Sequence, residues 1–405
     1  MSDIVKNGGR MKKKILILSV FVLLIGVIIL SHNSSKNDVL EVEKPNVIKQ
    51  ENTLSMMLET EAGSGEYEMT TASSWPTDGY VFNETLSKCE NGGELSWDDT
   101  NKTVVMKTSV TDKCYVYFDV VVITLSEYVI AQYTGTQGEN NIYYHDGNLE
   151  NGISDGSYRY SGASPNNYVC FGSNETTCPK ENLYRIIGVI DGKVKLIKAD
   201  CATSDLLGTD GDYNSGTKYY WNKNAATNGG KNTWSYSLLN TVNLNTNFIT
   251  NIGETWANKI ATTTWKVGGN TYAIIRNVIP SVAYQNEIVN PVTTKTTDNA
   301  TEYTAKIGLM YVSDYGYAAS SSAWTTILDE YYDSTLVNWM FIDLAEWTIS
   351  RNADNSMSVF GVDDGGGGAE YLVSGTIYVR PVFFLNLDVT YISGDGSQSS
   401  PIRLG

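Results

Sequence analysis

Histidine is the scarcest residue in this sequence that could carry chemistry. His32 and His145 are the only two, so a metal site with several histidine ligands is excluded, and a Ser-His-Asp triad would have to use His145. His145 lies in the run NNIYYHDGN, which favours an ordinary turn or surface histidine. The sequence also has no Cys-x-x-Cys pair, so a zinc or redox site of that type has no support.

Basic residues are few compared with acidic ones. The chain has 29 Lys and Arg against 45 Asp and Glu, which gives a formal net charge of −16. Five of these basic residues and one acidic residue lie in residues 1–30, so residues 31–405 carry a net charge of −20. A chain this acidic repels phosphate groups, which argues against nucleic acid as a partner.

Long apolar runs are also rare, and the sequence has one at residues 15–30, ILILSVFVLLIGVIIL. As a helix this uncharged run would span about 24 Å. Arg10 and the lysines at 12–14 precede it, and basic flanks stay in the cytoplasm. The sequence therefore predicts a cytoplasmic basic tail at residues 1–14, a single transmembrane anchor at 15–30, and a cell-membrane protein with the remainder outside the cell. A cleaved signal peptide is the alternative, although no Ala-x-Ala pattern follows the run.

The five cysteines all follow the predicted anchor, where disulfides can form. Pairing between neighbours along the chain predicts the bonds Cys89–Cys114 and Cys170–Cys178. Cys201 is then left over, and a small buried thiol is the expected state for it.

Three parts are predicted after residue 30. Residues 31–65 are polar and lack a hydrophobic period, which predicts a disordered stalk. Residues 66–122 predict a small β module that a disulfide must stabilise, because it is too short to bury much core. Residues 123–405 form the large domain.

The large domain mixes strand and helix patterns. Residues 183–199, LYRIIGVIDGKVKLIKA, predict a hairpin around Asp191-Gly192, and residues 265–274 repeat this pattern around two glycines. Phe248, Ile252, Trp256 and Ile260 are spaced by four, as on one face of a helix. Other predicted helices are 125–133 and 323–332, and other predicted strands are 94–97, 103–107, 115–119, 306–313, 346–350 and 378–385. This mixture predicts an α+β fold.

Several segments of the sequence resemble a large family of uncharacterised bacterial surface proteins. They read NNYVCFGSNETTCPKENLYRIIGVIDGKVKLIKAD, AKIGLMYVSDYGYAAS, NWMFIDLAEWTISR and VRPVFFLN. The C-terminal domain of that family looks like the C-type-lectin-like fold, which formylglycine-generating enzymes also use. The segment CENGG…LSWDD…KCYVYFD is similar to a module that often precedes it. The resemblance implies a C-type-lectin-like domain at residues 123–405, in which Trp347 and Arg380 are scaffold residues.

The chemistry known for that fold has little support in this sequence. Its enzymes use cysteines near the C-terminus, and none follows Cys201 here, which argues against thiolate–copper chemistry. Calcium-dependent lectins of the fold use EPN or QPD together with WND, and these strings are absent. The nearest aromatic-polar cluster is YYWNK, residues 219–223, which makes Tyr219 and Trp221 candidate ligand contacts.

Two acidic loops are candidate sites. Asp210, Asp212 and Asn214 alternate along the chain, as oxygen ligands of calcium do, although the match to an EF-hand loop is partial. The loop at residues 352–371 precedes the last predicted strand, where this fold often contacts ligands. Its candidate ligand contacts are Asp354, Asp363, Asp364 and Tyr371.

The sequence thus predicts a membrane-anchored extracellular binding or adhesion protein that is not an enzyme. A lectin-like domain would bind a glycan or a protein ligand, with calcium as a candidate cofactor. A structural cell-surface spacer without a specific ligand is the main alternative, followed by an envelope glycan hydrolase. Part of this prediction depends on analogy between folds.

Overall fold

The computed structural model describes residues 52–76, 79–224, 231–271, 277–291, 300–332 and 337–405. The predicted basic tail, the predicted anchor and residues 31–51 of the predicted stalk lie outside these ranges. Within them, no helix combines the length and the apolar character that crossing a membrane requires.

Strands dominate the described residues, with 33% in strands and 19% in helices of all kinds. The predicted α+β class is therefore wrong, and the chain is mostly β. One cause is visible at residues 323–332, where the predicted helix is replaced by the 3-10 turn Leu328–Glu330. The backbone N–H of Leu328 donates to the carbonyl of Val278, a distant segment, at 2.9 Å.

The strands of the described residues are β1 Thr53–Glu59, β2 Tyr67–Thr70, β3 Tyr80–Phe82, β4 Lys88–Cys89, β5 Glu94–Asp98, β6 Thr103–Lys107, β7 Lys113–Val120, β8 Ile142–Tyr144, β9 Tyr158–Tyr160, β10 Tyr168–Cys170, β11 Leu183–Ile190, β12 Lys193–Lys198, β13 Tyr213–Ser215, β14 Lys218–Tyr220, β15 Thr263–Lys266, β16 Gly269–Asn270, β17 Glu302–Ala305, β18 Ile307–Gly308, β19 Glu346–Asn352, β20 Ser358–Val362, β21 Gly368–Leu372, β22 Thr376–Tyr378, β23 Val382–Phe384, β24 Tyr391–Ser393 and β25 Arg403–Leu404.

The helices are short. The α-helices are α1 Leu125–Ala131, α2 Ser204–Leu207, α3 Ile249–Asn251, α4 Glu254–Ala257, α5 Pro280–Tyr284 and α6 Val312–Ala318. Two π-helical segments are Leu239–Phe248 and Gln285–Val289. The 3-10 turns are Glu139–Asn141, Lys180–Asn182, Trp234–Tyr236, Ser321–Ala323 and Leu328–Glu330.

The small module is a five-stranded sheet in the order β2-β1-β7-β3, with β4 also paired to β7. Its first strand, β1, runs parallel to β7. The stalk prediction for residues 31–65 is therefore wrong over Thr53–Glu59, which belongs to this sheet. Met56, Val116 and Phe118 form its small core, and the predicted bond Cys89–Cys114 joins β4 to β7.

Two seven-stranded sheets build the large domain. The first has the order β18-β23-β12-β11-β9-β8, with β10 also paired to β11, and the second has the order β13-β14-β22-β19-β20-β21, with β16 paired to β19. One continuous cluster of buried apolar residues draws on both sheets. Helix α1 joins the module to this domain, and Thr124 and Glu127 cap its N-terminus reciprocally.

The hairpin predicted at residues 183–199 is present as β11 and β12. Asp191 and Gly192 turn the chain with φ angles of 50° and 76°, the left-handed values that a two-residue hairpin turn requires. Both strands are buried almost throughout. The pair lies at the centre of the first sheet and positions one of the sites described below.

Other predicted strands are placed differently. In the described part of the second predicted hairpin, residues 265–271, β15 pairs with β17 and β16 pairs with β19 instead of with each other. Residues 272–274 of that prediction lie outside the described ranges. In the predicted strand 306–313, Ile307–Gly308 alone forms a strand, which pairs with β23. The backbone N–H of Tyr311 donates to Asp314 Oδ2 at 3.0 Å, and this cap begins α6 instead.

Candidate functional site

Two concave regions of the described residues could hold chemistry or a ligand. The lysine cavity encloses about 160 Å³, and its polar and aromatic lining residues are Asp155, Arg159, Asp191, Lys195, Thr263, Thr264, Trp265, Lys266, Tyr284, Tyr311, Ser313, Asp314 and Phe384. The disulfide groove is open and encloses about 410 Å³, and its lining residues are Cys170, Ser173, Asn174, Glu175, Thr176, Trp256, Ile392, Ser393, Arg403 and Leu404.

Three neighbouring strands set the positions of the cations in the lysine cavity. Gly188 on β11 lies opposite Arg159 on β9 and opposite Lys195 on β12. Residues paired directly across strands share a face of the sheet, so both cations project to the same side. Only glycine fits at position 188, since a Cβ there would lie 2.2 Å from the carbonyl oxygen of Tyr158 and 3.2 Å from Arg159 Cγ.

A single buried carboxylate, Asp314 at the start of α6, joins these two cations. Lys195 Nζ lies 2.5 Å from Asp314 Oδ2, and Arg159 Nη1 lies 3.2 Å from Asp314 Oδ1. Arg159 Nη2 also reaches Asp155 Oδ2 at 3.0 Å. Burial alone raises the pKa of Asp314, but the charges of Lys195 and Arg159 lower it below its ordinary value. Burial lowers the pKa of Lys195, and Asp314 offsets only part of that shift.

Aromatic rings form the wall around the Lys195 ammonium. Nζ lies 4.6 Å from the ring centre of Tyr311, 5.4 Å from that of Phe384 and 5.7 Å from that of Trp265. Ring faces attract cations, and this attraction grows where water is excluded. The side chain is therefore held in one position by both its charge and its surroundings.

Glu287 is a second buried carboxylate, at the N-terminus of α6. Its two oxygens accept from the backbone N–H groups of Val312 at 3.2 Å and Ser313 at 3.1 Å, and the Ser350 hydroxyl donates to Oε1. Burial raises the pKa of Glu287 to about 7. The cavity thus contains paired ions, and Glu287 contacts its lining residue Ser313 without lining the cavity itself.

The disulfide groove is built differently, from a loop and the chain's last strands. The bond Cys170–Cys178, as predicted, closes the loop on one side of the groove. Arg403 of β25 ties this loop down, because its Nη2 donates to the Thr176 carbonyl at 2.7 Å. Trp256 packs against Phe171 at 5.0 Å between ring centres, and Ile392 on β24 is 61% exposed. The groove therefore offers an open apolar surface bordered by polar side chains.

Two of the ligand contacts predicted from the sequence are inaccessible. Tyr219 and Trp221 are both fully buried. The Tyr219 hydroxyl donates to the Gly208 carbonyl at 2.8 Å, and Trp221 Nε1 donates to the Thr348 carbonyl at 3.1 Å. The prediction that they contact a ligand is wrong for this structure, because the rings fill the core.

Three of the other predicted contacts, Asp363, Asp364 and Tyr371, lie at one exposed turn. Burial and the nearby Asp363 and Asp364 raise the pKa of Tyr371 to about 12, so these three residues lie close together. Asp363 Oδ1 accepts from the N–H groups of Gly365 and Gly367, which makes it part of the turn itself. Asp354 is exposed, and its N–H donates to Asn352 Oδ1. None of these four is among the described residues that line either concave region.

The residues predicted to bind calcium bond to different partners. Asp212 is buried and accepts from the N–H groups of Lys223 at 2.9 Å and Leu239 at 2.8 Å. Asp210 accepts from Asn247, and Asn214 accepts from the Tyr220 hydroxyl. Both carboxylate oxygens of Asp212, one of Asp210 and the amide oxygen of Asn214 thus already accept hydrogen bonds from the protein. In the described part of the chain, the one cluster of three potential metal ligands is Cys89, Asp112 and Cys114, and its two sulfurs are bonded to each other.

Trp347 and Arg380, expected to be scaffold residues, are almost fully buried. Trp347 Nε1 donates to the Tyr219 carbonyl at 2.8 Å. Arg380 forms a two-point ion pair with Glu346 at 2.5 and 2.6 Å. Both residues lie in the second sheet or beside it, away from the residues that line the two concave regions.

His145 is not the surface histidine expected from its neighbours. It is completely buried, with Tyr317 at 5.0 Å and Trp324 at 5.3 Å between ring centres. Burial and the nearby Arg159 lower its pKa to about 3, so the ring is neutral at physiological pH. The local run of polar residues gave no signal for this aromatic enclosure, which distant segments supply.

Comparisons with known proteins found no matching family model, no matching curated protein and no matching solved structure. The resemblance to the surface-protein family therefore stays a prediction. The proposed function therefore depends on the geometry of the two concave regions.

Proposed function

We propose that this protein is an extracellular binding protein whose disulfide groove holds a sugar residue of a glycan. The observation that carries the proposal is the groove itself. It is the larger and more open of the two concave regions, and it combines an apolar strip with hydroxyl, amide and guanidinium groups. Ligand sites combine apolar area with polar groups that fix the ligand's orientation, and this groove offers both.

The lining suits a neutral sugar better than a strongly charged ligand. Sugars present hydroxyl groups at their edges and apolar C–H faces, and the groove offers partners for both. Ser173, Asn174 and Ser393 can exchange hydrogen bonds with hydroxyl groups, and Trp256 and Ile392 supply apolar area. Glu175 and Arg403 contribute opposite charges, so the groove selects neither anions nor cations.

The lysine cavity is a weaker candidate for such a ligand. Its volume is less than half that of the groove. Its buried ions are already paired with one another, as Arg159 is with Asp155 and Asp314. A ligand entering it would have to replace these contacts, and leaving a buried charge unpaired is costly.

The oxidised cysteines support a location outside the cell. The loop that forms one side of the groove is closed by a disulfide, and such bonds persist in oxidising compartments. Together with the apolar run at residues 15–30, this leads us to propose a single-pass protein of the cell membrane with its C-terminal region outside.

Glycan-array binding by the full-length protein in detergent tests the proposed function. We expect saturable binding to a defined set of glycans, competed by the free sugar. Ile392→Trp fills the groove and Asn174→Ala removes an amide, and each should weaken binding at least tenfold, or about 1.4 kcal/mol. Asp364→Asn, at the exposed turn, is the matched control and should bind normally.

The results separate the candidate functions. No binding to any glycan would contradict the proposal and favour a structural spacer at the cell surface. Binding that Asp364→Asn abolishes, and that Ile392→Trp leaves unchanged, would move the site to the loop predicted from the sequence. Circular dichroism of each variant shows that the fold is kept.

A further inference from the structure

We propose that Lys195 and Asp314 condense with each other to form an intramolecular amide bond that joins β12 to α6. The proposal is independent of the glycan groove. It concerns a covalent modification that the chain would carry out on itself in the lysine cavity.

The two side chains are already close enough to react. Lys195 Nζ lies 2.5 Å from Asp314 Oδ2, and both side chains are at most 3% exposed. Reacting groups held together in this way gain effective concentrations of about 10⁵–10⁸ M over free partners. The aromatic rings of Tyr311, Phe384 and Trp265 hold the amine in place, so little further ordering is needed.

The reaction needs no other reagent. A proton passes from the Lys195 ammonium to Asp314 Oδ2, which gives a neutral amine and a carboxylic acid. The nitrogen lone pair then attacks Cγ and forms the new C–N bond. The Cγ–Oδ2 bond breaks, and Oδ2 leaves with a second amine proton as water. The condensation is redox-neutral, so it needs neither an oxidant nor a reductant.

Neighbouring donors are placed to stabilise the intermediate. Negative charge develops on Asp314 Oδ1 when Cγ becomes tetrahedral, and Arg159 Nη1 already donates to that oxygen at 3.2 Å. The backbone N–H of Tyr311 donates to the leaving oxygen Oδ2 at 3.0 Å. Preorganised donors of this kind are the main source of stabilisation in acyl transfer.

Burial favours the amide product. An ion pair in a site of low dielectric constant bears the desolvation cost of both charges, and an amide bears neither. Burial lowers the pKa of Lys195, which helps to supply the neutral amine. The cavity of about 160 Å³ beside the pair has room for the released water.

Intact-mass spectrometry of the full-length protein tests the proposal. After reduction of the disulfides, we expect the mass to be lower than that of the sequence by one water molecule. Peptide mapping should place the deficit in a branched peptide that contains Lys195 and Asp314. Asp314→Asn should give the same cross-linked product by releasing ammonia instead.

Two variants provide controls. Lys195→Arg keeps the positive charge but cannot form this amide, and Asp314→Ala removes the acyl group, so neither should show the deficit. The mass of the wild-type protein shows whether the amide bond has formed, even if a variant fails to fold. A folded wild-type protein with the full mass and a reactive Lys195 amine after denaturation would overturn the proposal.

Discussion

Arg380 and Glu346 show how this core accommodates charge. The Arg380 guanidinium makes two hydrogen bonds to the Glu346 carboxylate and a third to the Met340 carbonyl at 2.6 Å. Each side chain is 1% exposed. Buried pairs add little net stability over apolar residues, but removing one partner leaves the other charge uncompensated. The ion pair therefore sets the packing of β19, which contains Glu346, against the segment before β23, which contains Arg380.

Glu346→Gln should destabilise the protein strongly. The amide cannot neutralise Arg380, so we expect the free energy of unfolding to fall by about 3–5 kcal/mol. Urea unfolding followed by tryptophan fluorescence measures the change. Asp99→Asn removes a carboxylate from the exposed pair Lys102–Asp99 and should leave stability unchanged. Equal effects of the two substitutions would show that burial is not the cause.

Glu287 should make stability depend on pH in a defined direction. Its pKa in the folded protein is about 7, against an ordinary value of 4.5. Between these values the folded state binds more protons than the unfolded state, so the free energy of unfolding falls as pH rises. The contribution is complete below about pH 4.5 and is lost by about pH 7, on the order of 3 kcal/mol.

The variant Glu287→Gln tests this dependence. Glutamine stays neutral at every pH, so the decline in stability between pH 4.5 and 7 should flatten in urea titrations. Asp364→Asn, an exposed acidic residue, should keep the wild-type slope. An unchanged slope in Glu287→Gln would assign the pH dependence to other groups.

Single residues could be predicted from the sequence only where their role is local. The cysteine pairs follow from spacing along the chain, and both bonds are present. Tyr219 and Trp221 are candidate ligand contacts in the sequence because YYWNK is its nearest aromatic-polar cluster to a lectin motif, yet both fill the core. Lys195 lies in the run KVKLIK of a buried strand, and a cation in such a run is the one local hint of the lysine cavity.

At the scale of elements, the hairpin of β11 and β12 depends on its turn. Gly192 has a φ of 76°, and a Cβ at this position would meet nothing nearer than Leu387 Cδ2 at 3.8 Å. A side chain here therefore has space but an unfavourable backbone conformation. Any cost of substitution is conformational rather than steric.

Gly192→Ala should lower the free energy of unfolding by about 1–2 kcal/mol, the cost of left-handed backbone for a residue with a Cβ. Gly147 is the matched control, because a Cβ there meets no atom within 4 Å and its φ is not left-handed. Gly147→Ala should leave stability unchanged or raise it slightly. Equal losses in both variants in urea unfolding would contradict the role of the turn.

Strands and helices could be predicted where all the residues that determine them lie in one short segment of the sequence. Hairpin β11–β12 carries its turn residues and its β-branched runs together, and β5–β6 likewise lies within residues 94–107. The helical face predicted for Phe248, Ile252, Trp256 and Ile260 is present only in part, because Gly253 at a φ of 81° interrupts the helix and Ile260 forms an isolated β-bridge with Leu385. The strand predicted at residues 306–313 is wrong beyond Gly308 because Asp314 caps a helix there through the Tyr311 N–H. Distant residues, Lys195 and Arg159, hold Asp314 in that position.

At the scale of the whole molecule, pairings between distant segments determine the sites. Strand β23 pairs with β12, and an isolated bridge joins Val169 to Ile402. The lysine cavity therefore draws on residues between 155 and 384, and the disulfide groove on residues between 170 and 404. Local patterns contain no information on such pairings, which is why the sequence predicted neither region.

The oxidation state of the cysteines tests the placement of the whole chain. Cys201 is free and partly buried, and burial raises the pKa of its thiol to about 12. Since the thiolate is the reactive form, Cys201 should react slowly with an alkylating reagent while the protein is folded.

Alkylation of protein taken from its native cell should therefore label one thiol after denaturation without reduction, and all five cysteines after reduction. Cys201→Ser should abolish the first label, which identifies the residue. Mass spectrometry of the alkylated chain counts the labels directly. Three or five labels before reduction would mean that one or both disulfides are absent in the cell. Labels at Cys170 and Cys178 would contradict the proposed location and, because their loop closes one side of the groove, would also remove the proposed binding site.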